Sequence, residues 1–171
     1  MTFRILWPAM RWPDGRAIEE SSVGEHTAEF SERYTDVTDE QWANCDAVVS
    51  VNDIPAEYRE KMTKCRIFAT PKVGFDNIDS KVWAEMGIPV CNVPDYGTQE
   101  VADHAMALML SLMKGITFHT RELKQDPKGL WRPALNPFGK RLSASVFGVV
   151  GLGRIGTCLL YTSPSPRDVE E

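Results

Sequence analysis

The chain has 171 residues, enough for one ordinary domain or a small domain with part of another. Its 43% hydrophobic and 25% charged content suit a globular protein that can bury a core, and a net charge of −5 gives no electrostatic basis for binding nucleic acid or an anionic membrane surface. No apolar run approaches the ~20 residues of a membrane span, and MTFRILWPAM at the N-terminus lacks the long apolar stretch and cleavage site of a signal peptide.

In chain order, FRILWP (3–8) reads as a short strand, followed by a polar, loop-like stretch. TDEQWANC reads as a helix with Thr38 or Asp39 as N-cap, and DAVVSV (46–51) as a β-branched strand. IPAEYREKMTK carries Pro55 in a first-turn position and reads as a helix. RIFAT (66–70) is the next strand, NIDSKVWAEMG a helix capped by Asp79 and closed by Gly87, and IPVCNV (88–93) a further strand. Short apolar strands alternating with helices predict an α/β fold whose parallel sheet is covered on both faces. TQEVADHAMALMLSLMKG (98–115) is the longest helix signal, with Thr98 as cap. Val101, Ala105, Leu108, Met109 and Leu112, with Ala102, Met106 and Met113, leave it apolar nearly all round, so it is expected to be buried or clamped between two bodies. DPKGLWRPALNPFGKRL reads as an extended loop, and SVFGVV (145–150) as a buried strand.

That strand runs into GLGRIG, which places Gly151, Gly153 and Gly156 in a GxGxxG pattern. The spacing has a physical reason in dinucleotide sites. The first glycine permits a tight turn, the second lets the backbone approach a pyrophosphate, and the third lets the next helix pack on the strand. The helix N-terminus then offers N–H groups and partial positive charge to the phosphates. Beyond Gly156 the pattern stops. Pro164 and Pro166 oppose a helix interior, and the acidic ribose partner expected about 20 residues on has no place in the chain. CLLYTSPSPRD (158–168) resembles the conceptual translation of a transposase-type sequencing adapter, so 158–171 is expected to be an adapter-derived tail.

The stretch VGFDNIDSKVWAEMGIPVCNVPDYGTQEVADHAMALMLSL, then Trp131, then VFGVVGLGRIG, resembles the D-isomer-specific 2-hydroxyacid dehydrogenases. VPDYGTQEVADH is similar to the C-terminal-binding-protein-like branch, which also resembles phosphoglycerate dehydrogenases. The resemblance runs from about residue 46 to 157, and the first 45 residues fit loosely. It implies a flavodoxin-like substrate domain over 1–97 and an inter-domain helix over 98–117. A dimerisation arm and only the first strand and glycine turn of a Rossmann domain would occupy 118–157. It also implies a homodimer, a small 2-hydroxyacid substrate, and NAD as cofactor with NADP not excluded. The reaction would be reversible hydride transfer between C2 of the acid and C4 of the nicotinamide.

Such chemistry needs a cation for the carboxylate and carbonyl, and a base of the histidine–carboxylate kind for the hydroxyl proton. In the family the Arg, Glu and His that do this lie downstream of the glycine turn, at positions this chain does not have. No catalytic residue is therefore expected, and the chain is expected to be inactive and to bind NAD weakly or not at all. The resemblance assigns half of a cleft. Val73 and Gly74 match a backbone site for the substrate carboxylate and the nicotinamide end of the cofactor. Gly97 and Val101 match positions lining the nicotinamide pocket, with Gly97 also facing substrate. Arg154 and Ile155 join Gly151, Gly153 and Gly156 around the pyrophosphate.

Asp76, Asn77 and Asp79 are read as turn and cap residues, and His104, beside Asp103, as structural. His26 and His119 lie in weakly patterned or irregular surroundings. Cys45, Cys65, Cys91 and Cys158 have neither CxxC nor finger-like spacing, so no metal site is expected; they read as reduced thiols of a cytoplasmic protein. A non-enzymatic dimerising or corepressor-like module is the alternative from another class, and formate or phosphite dehydrogenases share the architecture.

Overall fold

The structure, a computed structural model, describes residues 1–10, 16–126, 139 and 141–162, and the chain divides into two compact units between Asp95 and Tyr96. The first unit holds five strands, β1 (Arg4–Trp7), β2 (Thr27–Phe30), β3 (Ala47–Val49), β4 (Ile67–Thr70) and β5 (Val90–Asn92). They form one parallel sheet in the order β2-β1-β3-β4-β5. This is the flavodoxin-like order, in which the direction of winding reverses between β1 and β3. Helices α1 (Ala17–Ser22), α2 (Asp39–Asn44), α3 (Ala56–Arg59) and α4 (Ser80–Glu85) connect the strands.

Register explains the core. Leu6 pairs with Val48 and Val48 with Phe68, so these three side chains share one face of the sheet. All three are buried with Trp42, Ile54, Met62, Ile78, Trp83 and Ile88. Phe68 lies 4.7 Å from Trp83 between ring centroids, and Tyr58 stacks on Trp42 at 5.3 Å. Each large ring of this kind costs about 3–5 kcal/mol to truncate to alanine. The caps are local. Thr38 accepts from Gln41 N while the Gln41 side chain accepts from Thr38 N, a reciprocal capping box. Asp79 caps α4 by accepting from Lys81 N and Val82 N, and Gly87 follows the helix with φ +72°.

Three elements of this unit differ from the reading of the sequence. The stretch after β1, read as a loop, contains α1 and β2. TAEF carries only two apolar residues, but it gains a full ladder against β1, from Arg4–Thr27 to Trp7–Phe30. Pairing at a sheet edge outweighs weak propensity. The helix starting at Pro55 is one turn long, with Pro55 itself as the N-cap.

The second unit is helical. α5 (Thr98–Lys114) ends at Gly115, whose φ of +62° turns the chain straight into α6 (Ile116–Gln125), and α7 (Arg154–Thr162) packs along α5. Gly97, not Thr98, is the N-cap of α5; Thr98 is its first helical residue. α6 puts His119 on a helix, edge-on to Phe118. α5 is not buried all round: Ala102 is buried, whereas Val101, Leu108 and Leu112 are exposed, Leu112 at 74%, which leaves the clamped alternative of the sequence reading. Within this unit α6 and α7 cover only part of its circumference.

SVFGVV does not join a ladder. After a 3-10 turn at Leu142–Ala144 it runs without assigned secondary structure, with Val146 99% and Val150 103% exposed. A strand exists only with a hydrogen-bonded neighbour, and none is found among the described residues of this unit. The helix after the glycine turn, by contrast, does form. It spans Arg154–Thr162, and Pro164 and Pro166 lie outside the described residues. Trp131 and most of the predicted extended loop lie outside the described residues.

Candidate functional site

In an open parallel sheet, ligands bind outside the carboxyl ends of the strands, where the winding reverses. Here those ends lead into the segment after β3, which carries Ser50–Asp53, and the loop 71–79 after β4. Asp53 ties the two together. Its Oδ1 accepts from Ile54 N at 2.8 Å and from the buried Trp83 Nε1 at 2.8 Å. Its Oδ2 accepts from Asp79 N at 2.9 Å and pairs with Arg59 at 3.3 Å. Asn77 adds a second brace. Its Nδ2 donates to Asn52 Oδ1 at 3.1 Å, and its Oδ1 accepts from Lys72 Nζ. Asn92, at the end of β5, donates to Val73 O at 2.7 Å.

The loop is thus held by its flanks while its apex faces outward. Val73 is 46% exposed and Gly74 is exposed. Neither residue's N–H donates to a partner among the described residues. Two N–H groups without a hydrogen-bond partner among the described residues, on a braced and exposed loop with no side chain at Gly74, are a chemistry suited to an anion such as a carboxylate. An alanine Cβ at Gly74 would stand 3.7 Å from Asp76 Oδ2, an ordinary contact, so folding alone does not demand glycine there. Asp53, Asn77 and Asn92 are the site residues that sequence reasoning missed or undervalued. Their signal was weak, since acidic and amide residues at strand ends read equally well as turn formers.

In the second unit, sterics define the glycine turn. Gly151 has φ +100°, which L side chains rarely adopt. A Cβ on Gly156 would fall 1.9 Å from Gly151 O, so only hydrogen lets α7 begin there. A Cβ on Gly153 would meet nothing within 4 Å, leaving the space beside the turn open to a ligand. Thr157 N donates to Gly153 O at 2.9 Å, which starts the helix, and its hydroxyl donates to Leu152 O at 3.2 Å. Arg154 and Ile155 occupy the first turn of α7. Gly97 and Val101 stand at the other helix start, where Val101 N donates to Gly97 O at 3.0 Å. Val73 and Gly74 thus belong to one unit, and Gly97, Val101 and the glycine turn to the other. Among the described residues no cluster of His, Cys, Asp and Glu could hold a metal ion, and no helix is long and apolar enough to cross a membrane.

The fold order and the glycine turn point the same way as a comparison with known families. The family model for the catalytic domain of D-isomer specific 2-hydroxyacid dehydrogenases matches residues 14–163. The chain belongs to the D-isomer-specific 2-hydroxyacid dehydrogenase family. Among the curated members, a glyoxylate reductase from Korarchaeum cryptofilum is 36% identical over 125 residues, covering 70% of this chain and 37% of that protein. C-terminal-binding protein 1 from Caenorhabditis elegans is 32% identical over 103 residues, 58% of this chain and 14% of that protein. Among solved structures, an NADPH-dependent glyoxylate/hydroxypyruvate reductase from Sinorhizobium meliloti, in complex with NADP and malonate, is 28% identical with a TM-score of 0.67. It covers 94% of this chain and 50% of its own. The chain thus spans half or less of the length of these dehydrogenase-family relatives.

Proposed function

We propose that this chain is the substrate-binding half, with the opening of the nucleotide-binding half, of an NAD(P)-dependent oxidoreductase that acts on small 2-hydroxyacids and 2-ketoacids. The observation that carries this reading is the glycine turn, where Gly156 is sterically obligatory and Gly153 stands beside open space. The nicotinamide, when bound, supplies or accepts the hydride at C2 of the acid. The residues of this chain bind and orient. The N–H groups of Val73 and Gly74 hold the substrate carboxylate on a loop stiffened by Asp53, Asn77 and Asn92. Gly151, Gly153, Arg154, Ile155 and Gly156 cradle the pyrophosphate, and Gly97 and Val101 line the nicotinamide end. NAD is the family default for the cofactor. The S. meliloti relative was solved with NADP, so the assay must include both.

The exposed Leu108 and Leu112 on α5 support a homodimer interface. The four cysteines are free thiols, which supports a reducing, cytoplasmic setting. The role proposed for these residues is binding and orientation, with no turnover and with NAD held weakly or not at all. The test is a titration of the purified chain with glyoxylate, hydroxypyruvate and pyruvate, with NADH or NADPH present. Backbone amide NMR should show shifts at Val73 and Gly74 on adding ketoacid, with no loss of reduced nicotinamide absorbance. Turnover would overturn the predicted inactivity; ketoacid shifts that spare Val73 and Gly74 would overturn the site.

A further inference from the structure

The amino ends of the strands, opposite the loops just described, carry a pair of cysteines. Cys45 ends α2 as its C-cap, and Cys65 precedes β4. Each stands two residues before the registered pair Ala47–Ile67. Arg66 N donates to Asp46 O at 2.8 Å, so the two chain segments already run side by side next to the cysteines. Adjacent strands lie about 4.8 Å apart, within the Cα separation of about 4.4–6.8 Å that a disulfide spans. Cys45 is buried in the core cluster at 2% exposure, and Cys65 packs against that same cluster while half-buried.

We propose that Cys45 and Cys65 form a reversible disulfide when the protein meets a peroxide, a covalent link between the starts of β3 and β4. Cys45 Sγ donates to Trp42 O at 3.2 Å and Cys65 Sγ to Ile67 O at 3.4 Å, so each thiol is held at this end of the sheet. The neighbouring Cys45 lowers the Cys65 thiol below its ordinary range, and the neighbouring Cys65, with burial, raises Cys45. The half-exposed Cys65 is therefore the nucleophile, and the buried Cys45 resolves. The Cys65 thiolate attacks one peroxide oxygen, the O–O bond breaks, and hydroxide leaves and takes a proton to become water, leaving a sulfenic acid on Cys65. The Cys45 sulfur then attacks the Cys65 sulfur, the S–O bond breaks, and a second water departs with the proton from Cys45. Two thiols lose two hydrogens and two electrons, and the peroxide gains both. A dithiol reductant reverses the bond by exchange.

The test treats the purified full chain with hydrogen peroxide and then maps its peptides by mass spectrometry under non-reducing conditions. The expected result is a mass lower by about 2 Da, loss of two of the four free thiols, and a Cys45–Cys65 cross-linked peptide that dithiothreitol removes. In the Cys65→Ser variant the cross-link should vanish. In the Cys45→Ala variant Cys65 should accumulate as a sulfenic acid that dimedone labels. Because Cys45 is buried and its variant risks misfolding, the wild-type map and Cys65→Ser decide the matter alone. Cross-links shared with Cys91 or Cys158, or wild-type Cys65 oxidised to the sulfinic acid without any cross-link, would overturn the proposal.

Discussion

Removing the Asp53 carboxylate tests whether one half-buried acceptor positions the loop that bears Val73 and Gly74. In Asp53→Ala, Trp83 Nε1 loses its acceptor inside a fully buried ring environment. An unsatisfied buried donor costs about 1–3 kcal/mol. Arg59, with a side chain only 15% exposed beside an Asp53 that is 23% exposed, loses its counter-charge. Breaking a fully buried pair costs about 3–5 kcal/mol, and partial solvent access reduces that here to about 1–2 kcal/mol. Together with the lost bonds to Ile54 N and Asp79 N, the expected destabilisation is about 3–5 kcal/mol, a large part of a typical stability of about 5–15 kcal/mol. Asp53→Asn keeps one acceptor oxygen and should lose about half as much. Urea unfolding at neutral pH, followed by tryptophan fluorescence, measures both. Hydrogen exchange at Asp79 should quicken in both variants before global unfolding does. A midpoint for Asp53→Ala within about 0.5 kcal/mol of the parent would refute the claim that Asp53 holds this end of the sheet.

Further consequences follow from particular contacts. Gly156→Ala would drive a Cβ to 1.9 Å from Gly151 O, so circular dichroism should report a weaker α7 and unfolding should come earlier by about 1–3 kcal/mol, whereas Gly153→Ala should fold like the parent. Thr38→Ala removes the capping box of α2 and should cost about 1 kcal/mol in urea unfolding. Asp39, 2.6 Å from Lys61 Nζ, raises the ammonium's pKa above its ordinary value by hydrogen bonding. The small stabilisation this gives is complete below the unfolded-state pKa and is lost as pH rises through the folded value. The parent should therefore be slightly more stable than Lys61→Met near neutral pH, with the margin vanishing at alkaline pH, and added salt should erase it.

Much of this protein can be read from local chemistry. β1, β3, β4 and β5 announce themselves through apolar, β-branched runs, and α4 through Asp79 and Gly87, because each signal acts over a few residues of chain. GLGRIG is equally local, and its steric logic holds when Gly156 meets Gly151 O. Other features depend on neighbours distant in sequence. TAEF becomes β2 because β1 offers an unpaired edge, and SVFGVV stays unpaired because no strand lies beside it among the described residues of its unit. Nothing near Asp53 in the chain says that it will accept from Trp83, thirty residues away, and nothing near Cys45 says that the Ala47–Ile67 register will bring the segment of Cys65 alongside it. By itself the sequence determined which residues make strands, caps and a phosphate-type turn, because those preferences come from backbone and side-chain sterics within one turn or strand. Only the tertiary structure decided which polar groups meet and which apolar faces stay open, because pairing and burial depend on what the fold brings alongside.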